Sequence, residues 1–252
     1  MSLTSTLSQV PMFSQLRESD LERLSQAARE RSYPKNTVIL FQNDAGDALY
    51  VVLSGQVKIV LTAEDGREVI LSVRGPGDFF GEMSLIDEEP RSAHVIAMED
   101  ASLLVLRRED FLRCLREVPE IATGLLRSLC KRLRQADSKI GSLVLLDVPG
   151  RVARLLLEMA DENDGVTITQ RLTHHMIAQM IGSSRETVSR TMRDLTTSGH
   201  IEIVRKTVTI PNRRDQSSRD QMGGPRREMV EVARRTIQIR NRAALEAAAG
   251  VT

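Results

Sequence analysis

The sequence predicts an α+β protein built from an N-terminal antiparallel β-roll, a long dimerisation helix and a C-terminal winged helix-turn-helix. Three observations carry that prediction. Short runs of alternating apolar and polar residues separated by Gly-bearing turns fill residues 37–107, an apolar period of three and four follows Pro119, and a helix–Gly–helix pattern occupies residues 173–190.

The strands come first. Thr37-Val38-Ile39-Leu40, Leu49-Tyr50-Val51-Val52-Leu53, Val57-Lys58-Ile59-Val60-Leu61 and Val69-Ile70-Leu71-Ser72-Val73 are β-rich runs, and Asn43–Asp47, Ser54-Gly55, Glu64–Arg67 and Gly75–Asp78 between them are turn signals. Many short strands at near-regular spacing predict a small antiparallel barrel or roll. After Pro119 the period becomes helical. Leu125, Leu129, Arg132, Ala136, Ile140, Leu143 and Leu146 recur like a coiled-coil seam, which predicts pairing with a second copy of the chain. Asp147-Val148-Pro149-Gly150 then interrupts the helix as a hinge.

Beyond the hinge, Thr173 caps a short predicted helix through Ile181, Gly182 supplies a tight turn, and Ser184-Arg185-Glu186-Thr187-Val188-Ser189-Arg190 starts a second helix. On a helix Arg185, Glu186, Ser189 and Arg190 project together. The Arg forks match guanine O6 and N7, and Glu186 can accept from the cytosine amine, so this face has the chemistry of a DNA-reading helix. Thr173, Ser183 and Thr187 are candidates for phosphate contacts, which position without specifying. Ser198-Gly199-His200 and residues 201–210 are expected to form a wing hairpin that brings Arg205 and Lys206 to the DNA backbone. Two such helices on one DNA face must lie about 34 Å apart, which predicts a two-fold symmetric site.

Charge agrees with this division. The whole chain holds 35 basic and 34 acidic residues, but residues 1–150 carry 18 against 22 and residues 151–252 carry 17 against 12. The second part is therefore the one suited to a polyanion. The expected boundaries are 1–118, 119–147 and 148–212, followed by a basic extension over 213–252 that is linker-like at first and has an Ala-rich helical pattern over 226–249; disorder is preferred for it, with added DNA affinity and docking on a partner as alternatives.

Other classes find little support. There is no bilayer-length apolar run and no basic signal-peptide start, so a cytoplasmic protein without membrane contact is expected. Cys114 and Cys130 have no CxxC spacing or His companions, and are expected to be buried free thiols rather than metal ligands. His94 reads as a strand residue rather than a haem ligand, and adjacent His174 and His175 diverge by about 100° on a helix, so neither metal nor haem is expected. No nucleophile–base pair or GxxxxGKT loop points to an enzyme.

Gly81-Glu82-Met83-Ser84-Leu85 followed by Pro90-Arg91-Ser92-Ala93 pairs a Gly-led turn and an acid with an Arg and a hydroxyl. Arg and hydroxyl suit a phosphate diester, and the carboxylate suits a ribose 2′-OH. This segment resembles the phosphate-binding cassette of cyclic-nucleotide-binding domains. The order of β-roll, long helix and helix-turn-helix over about residues 10–212 resembles the cyclic AMP receptor protein and fumarate–nitrate regulator superfamily. Ser184–Val188 and Asp147–Ala153 match its cyclic AMP receptor branch.

The resemblance implies a homodimeric DNA-binding transcription regulator with a cyclic nucleotide, cyclic AMP foremost, as effector, a TGTGA-like half-site in double-stranded DNA, and RNA polymerase as a further partner. It implies Glu82 as the ribose contact, Arg91 and Ser92 as cyclic phosphate contacts, Gly81 and Met83 within the same turn, and Arg132 as the long-helix residue that approaches the ligand. Two departures stand out. Where the branch presents Thr-Ser or Thr-Asn to adenine, this chain has Ala136 and Asp137, and the cassette is one residue shorter through Asp87-Glu88-Glu89. Asp137 suits the adenine amine but matches the guanine N1–H and N2–H₂ donors better. Cyclic GMP, cyclic di-GMP and ligand-independent activity are therefore alternatives, with a cyclic mononucleotide preferred because the loop is acidic. A nucleotide-binding module that regulates a partner protein is the alternative class, which the basic second half and the Arg185–Glu186 face oppose.

Overall fold

The computed structural model describes residues 3–211 and 229–250, with the backbone alone along 205–211 and 229–235. The chain divides into two compact units, residues 1–140 and 141–252.

The first unit opens with α1 (Leu3–Ser8) and α2 (Glu18–Ala27). Eight strands follow: β1 (Arg29–Tyr33), β2 (Val38–Leu40), β3 (Ala48–Ser54), β4 (Val57–Thr62), β5 (Glu68–Arg74), β6 (Phe79–Phe80), β7 (His94–Ala97) and β8 (Ala101–Arg107). A single turn, α3 (Met83–Ile86), separates β6 from β7, and α4 (Arg108–Glu117) and α5 (Pro119–Leu145) follow β8. The strands form two antiparallel sheets, β1-β8-β3-β6 and β2-β7-β4-β5. All four strand runs read from the sequence are present.

Alternation explains why β3 is apolar almost throughout. Its Tyr50 and Val52 join Val57, Phe80, Val95 and Leu103 between the sheets, whereas Leu49 and Val51 join Leu104, Phe79, Phe111, Ile121 and Leu125 under the helices. A strand buried on both faces has no polar register to show. His94 lies on β7, where Nδ1 accepts from the Gln42 amide at 3.2 Å.

The seam of α5 differs from the one read in the sequence. Leu125 is buried and Leu129 partly so against the unit's own core, while Leu126, Leu133 and Ile140 stand about 60% exposed at intervals of seven. Two apolar stripes about 100° apart share this helix, and a period count alone merged them. Cys130, expected to be buried, is exposed on this helix; Cys114 is half-buried, and burial pushes its thiol pKa up.

The second unit comprises α6 (Val148–Asp161), β9 (Thr167–Ile168), α7 (His174–Ile181), α8 (Arg185–Thr197), β10 (Ile201–Pro211), β11 (Met229–Ile239) and α9 (Arg242–Ala248), preceded by the last turn of α5. The predicted hinge is a helix start: Asp147 Oδ1 accepts from the Gly150 amide at 2.9 Å, and Pro149 sits in the first turn, where its missing N–H costs little. Among the described residues no helix is long and apolar enough to cross a membrane.

The wing and tail require correction. Residues 201–210 do not fold back on themselves; β10 pairs with β11, from Ile201↔Ile239 to Pro211↔Met229, and β11 also pairs with β9. Nor is 229–250 a disordered extension, since it supplies that return strand and α9. Leu245 and Ala249 are buried, and Arg242 donates to Asp161 Oδ1 at 2.7 Å and Glu246 Oε1 at 2.7 Å, holding the Asp161 carboxyl below its ordinary range. Gly150 admits this packing, because a Cβ there would stand 2.7 Å from the Ala248 carbonyl oxygen. The return strand was hidden by sequence distance from its partner; residues 212–228, including the linker-like stretch 213–225, lie outside the described residues. Leu245→Ala is expected to destabilise the second unit by about 2–5 kcal/mol, seen as an earlier thermal transition. An unchanged melt would mean that α9 contributes nothing to it.

Candidate nucleotide pocket and nucleic-acid interface

The cassette is built around a buried Arg. Gly81 adopts φ 85° and lies so close to Arg91 that a Cβ would meet its Nη1 at 2.7 Å, so only glycine suits this position. Arg91 is 4% exposed. Its Nη1 donates to the Gly81 carbonyl at 2.7 Å and to Ser84 Oγ at 2.8 Å, and its Nη2 donates to the Ala48 carbonyl at 2.8 Å and to Asp47 Oδ1 at 3.4 Å. These bonds aim the guanidinium from both sides and leave its Nε buried without a partner.

Glu82 is buried beside it, at 2% exposure. Arg132 reaches it from α5: Nη1 donates to Glu82 Oε1 at 2.6 Å, Nη2 donates to the Phe79 carbonyl at 2.6 Å, and the guanidinium carbon stands 4.3 Å from the centre of the Phe79 ring. Glu82 Oε2 is buried with no partner. A buried carboxylate oxygen and a buried guanidinium N–H that both lack partners are costly unless something else satisfies them. The acidic loop after α3 is held by Arg108, which donates to Glu88 Oε1 at 2.7 Å and to the Ser84 carbonyl at 3.2 Å.

Four of the predicted pocket residues, Gly81, Glu82, Arg91 and Arg132, are thus brought together from segments fifty positions apart. Met83 and Ser92 adjoin them and are exposed, and Ala136 and Asp137 lie exposed one turn further along α5. Sequence reasoning missed Ser84, Asp47 and the Ala48 and Phe79 carbonyls. Ser84 was visible as a hydroxyl inside the cassette; backbone acceptors leave no sequence signal.

In the second unit Thr173 Oγ1 accepts from the Met176 amide at 3.1 Å at the start of α7, and Gly182 ends that helix at φ 63°, ψ 54°. Ser184 Oγ then accepts from the Thr187 amide at 3.1 Å at the start of α8. α8 buries Val188, Thr191, Met192 and Leu195, which turns Arg185, Glu186 and Arg190 to solvent with Ser189 half-buried between them. Glu186 also sits in the first turn, where a carboxylate favours the helix dipole. Ser183 and Thr187 are half-buried and Thr173 is exposed. Arg193, exposed four residues after Ser189, belongs to the same face and was missed because the motif was read only as far as Arg190. Arg205 and Lys206 occupy register positions on β10, and their side chains lie outside the described residues. Among the described residues no group of three His, Cys, Asp or Glu is placed to hold a metal.

Comparison with known proteins matches both domains. The cyclic nucleotide-binding domain family matches residues 30–118, and the Crp-like helix-turn-helix domain family matches residues 150–215. A Thermus thermophilus protein named cyclic AMP receptor protein is 38% identical over 200 residues, covering 79% of this chain and 92% of that one. A Mycobacterium tuberculosis CRP-like cAMP-activated global transcriptional regulator is 34% identical over 209 residues, covering 81% and 93%. Among solved structures, the c-di-GMP responsive global regulator CLP of Xanthomonas campestris superposes with a TM-score of 0.65 at 28% identity, over 74% of this chain and 95% of that one. With a cyclic-nucleotide-binding domain followed by a Crp-like helix-turn-helix, and relatives similar over most of their length, the chain belongs to the CRP/FNR superfamily of transcription regulators.

Proposed function

We propose that this regulator is a cytoplasmic homodimer gated by a cyclic mononucleotide, cyclic AMP, and that it binds a two-fold symmetric, TGTGA-like duplex. The observation that carries the proposal is the buried Glu82–Arg91–Arg132 constellation with its two unpartnered polar atoms. In this reading Arg91 and Ser92 take the cyclic phosphate, Glu82 accepts from the ribose 2′-OH, Gly81 lets the backbone approach, and Met83 and Ala136 flank the base. Asp137 accepts the adenine amine. The output residues are Arg185, Glu186, Ser189 and Arg190 on bases, with Thr173, Ser183, Thr187, Arg205 and Lys206 on phosphates.

The exposed Leu126, Leu133 and Ile140 at intervals of seven support pairing of α5 with its copy. Because α5 begins in the first unit and ends in the second, and Arg132 joins it to Glu82, a ligand that binds one arrangement of α5 more tightly shifts the population toward that arrangement. RNA polymerase is the partner through which such a regulator acts on transcription.

A second reading is favoured by Asp137, whose carboxylate pairs best with guanine donors. The likeness to a regulator described as c-di-GMP responsive points the same way. Calorimetric titration of the full-length protein with cyclic AMP, cyclic GMP and cyclic di-GMP separates the two. The expected result is saturable heat with cyclic AMP, one site per chain, and tighter DNA binding in its presence. Tighter binding of a guanine nucleotide would replace the effector, and no heat with any of the three would make the protein a ligand-independent regulator.

A further inference from the structure

Arg91 is delivered to its buried position by a short acidic loop. After α3 come Asp87, Glu88, Glu89 and Pro90, and Arg91 is next. Glu88 has φ 63°, a left-handed backbone that a residue with a Cβ adopts at a cost. Its carboxylate meets Arg108 at the start of α4: Arg108 Nη2 donates to Glu88 Oε1 at 2.7 Å, while Nη1 donates to the Ser84 carbonyl at 3.2 Å. Arg108 is partly buried and Glu88 largely open to solvent, and an ion pair of that kind contributes little to stability. That contribution does not exceed the cost of the backbone it requires, so folding stability does not explain the pair. Its partners explain it better. One fork spans both ends of the segment that carries Arg91, with Ser84 before the loop and Glu88 within it. Ser84 Oγ in turn accepts from Arg91 Nη1 at 2.8 Å, which closes a circuit from Ser84 through Arg108 and Glu88 along the chain to Arg91 and back. The Arg108 amide donates to the Asp47 carbonyl at 2.8 Å, and Asp47 Oδ1 is the acceptor behind Arg91 Nη2. All three of these partners either aim Arg91 or lead the chain to it.

We propose that Arg108 is a positioning residue of the phosphate subsite, with Glu88 as the counter-ion that sets it: the pair fixes the loop between Ser84 and Arg91, and so the direction in which the Arg91 guanidinium is presented. The proposal rests on the cyclic nucleotide reading given above and deepens it. The physical requirement is orientation. A guanidinium is a planar fork, so its bonds to the exocyclic oxygens of a cyclic phosphate weaken steeply when the angle is wrong. Within the loop, Asp87 Oδ1 accepts from the Glu89 amide at 3.2 Å and Pro90 restricts φ, which shapes the loop locally, whereas the Glu88–Arg108 pair joins it to α4. In this role Arg108 acts through Ser84 and the loop, not by contact with the nucleotide.

The test is calorimetric titration of the full-length protein with cyclic AMP and with its two phosphorothioate diastereomers, in which sulfur replaces one or the other exocyclic oxygen; if cyclic GMP is the tighter ligand, its own pair takes their place. Both diastereomers are monoanions, so a change in background charge cancels in the ratio of their affinities, and the ratio reads how Arg91 is aimed. The wild-type protein is expected to prefer one of them. Arg108→Gln is expected to lower cyclic nucleotide affinity about tenfold, the low end of what losing a group that orients a binding residue costs, and to bring the ratio toward one. Glu88→Asn is expected to move the ratio the same way while the thermal midpoint holds or rises, because asparagine tolerates positive φ better than glutamate. This second variant decides the matter even where Arg108→Gln lowers the melt. The double variant is expected to fall no further than Arg108→Gln alone, since both changes break one contact. An unchanged ratio in either folded variant, or equal affinity of the wild-type protein for the two diastereomers, would overturn the proposal. Failure of the nucleotide reading itself would look different: no heat from any cyclic mononucleotide with the wild-type protein.

Discussion

Arg91→Lys is expected to lower cyclic nucleotide affinity by about 2–4 kcal/mol, roughly 30- to 1000-fold, while the protein stays folded. The argument is geometric. Arg91 is clamped by the Gly81 and Ala48 carbonyls and Ser84 Oγ, with Asp47 behind, so its planar fork has one orientation and its Nε remains for another acceptor. Lysine keeps the positive charge but has a single nitrogen, which cannot satisfy acceptors on two sides and meet a phosphate oxygen as well. Arg91→Leu is the harsher change, since it removes every donor from these acceptors, at about 1–3 kcal/mol for each buried acceptor left unpaired. A thermal melt recorded beside the calorimetric titration separates lost fold from lost binding. Wild-type nucleotide affinity in a folded Arg91→Lys protein would place the phosphate elsewhere.

Arg185→Ala is expected to cost about 1–3 kcal/mol on the preferred duplex and to leave binding to random DNA nearly intact. Arg185 is the first residue of α8 and its side chain is exposed. Its loss removes no packing, so the fold should be unaffected. A residue that only neutralised phosphate would weaken both duplexes alike and lower the salt slope by about one. Anisotropy measurements on the two duplexes at one fixed salt concentration distinguish these results, and equal loss on both would remove Arg185 from base reading.

Much of both sites was legible because their residues are local. The cassette places Gly81, Glu82 and Met83 within eleven positions of Arg91 and Ser92, and the helix-turn-helix is a run of eighteen residues whose caps, Thr173 and Ser184, and turn, Gly182, are chemical types with few other uses. Arg132 was legible as an ion in an apolar period. The misread parts share one property, dependence on partners distant in sequence. Leu125 and Leu126 are equally apolar neighbours, and which of them meets the core is decided by strands a dozen or more positions away. The wing's return strand begins eighteen residues after β10 ends, beyond the reach of any hairpin pattern.

By itself, then, the sequence determined the order of the three parts, the residue types of the proposed phosphate cassette and the exposed polar face of α8, because periodicity, capping and turn chemistry are properties of neighbouring residues. Only the tertiary structure decided that Glu82 and Arg132 form one ion pair, that Arg91 is aimed by backbone carbonyls, that α5 carries two apolar stripes, and that residues 229–250 complete the wing and cover α6. Those features arise where burial forces distant segments to satisfy each other's polar groups and cover each other's apolar surface, a condition that no local pattern records.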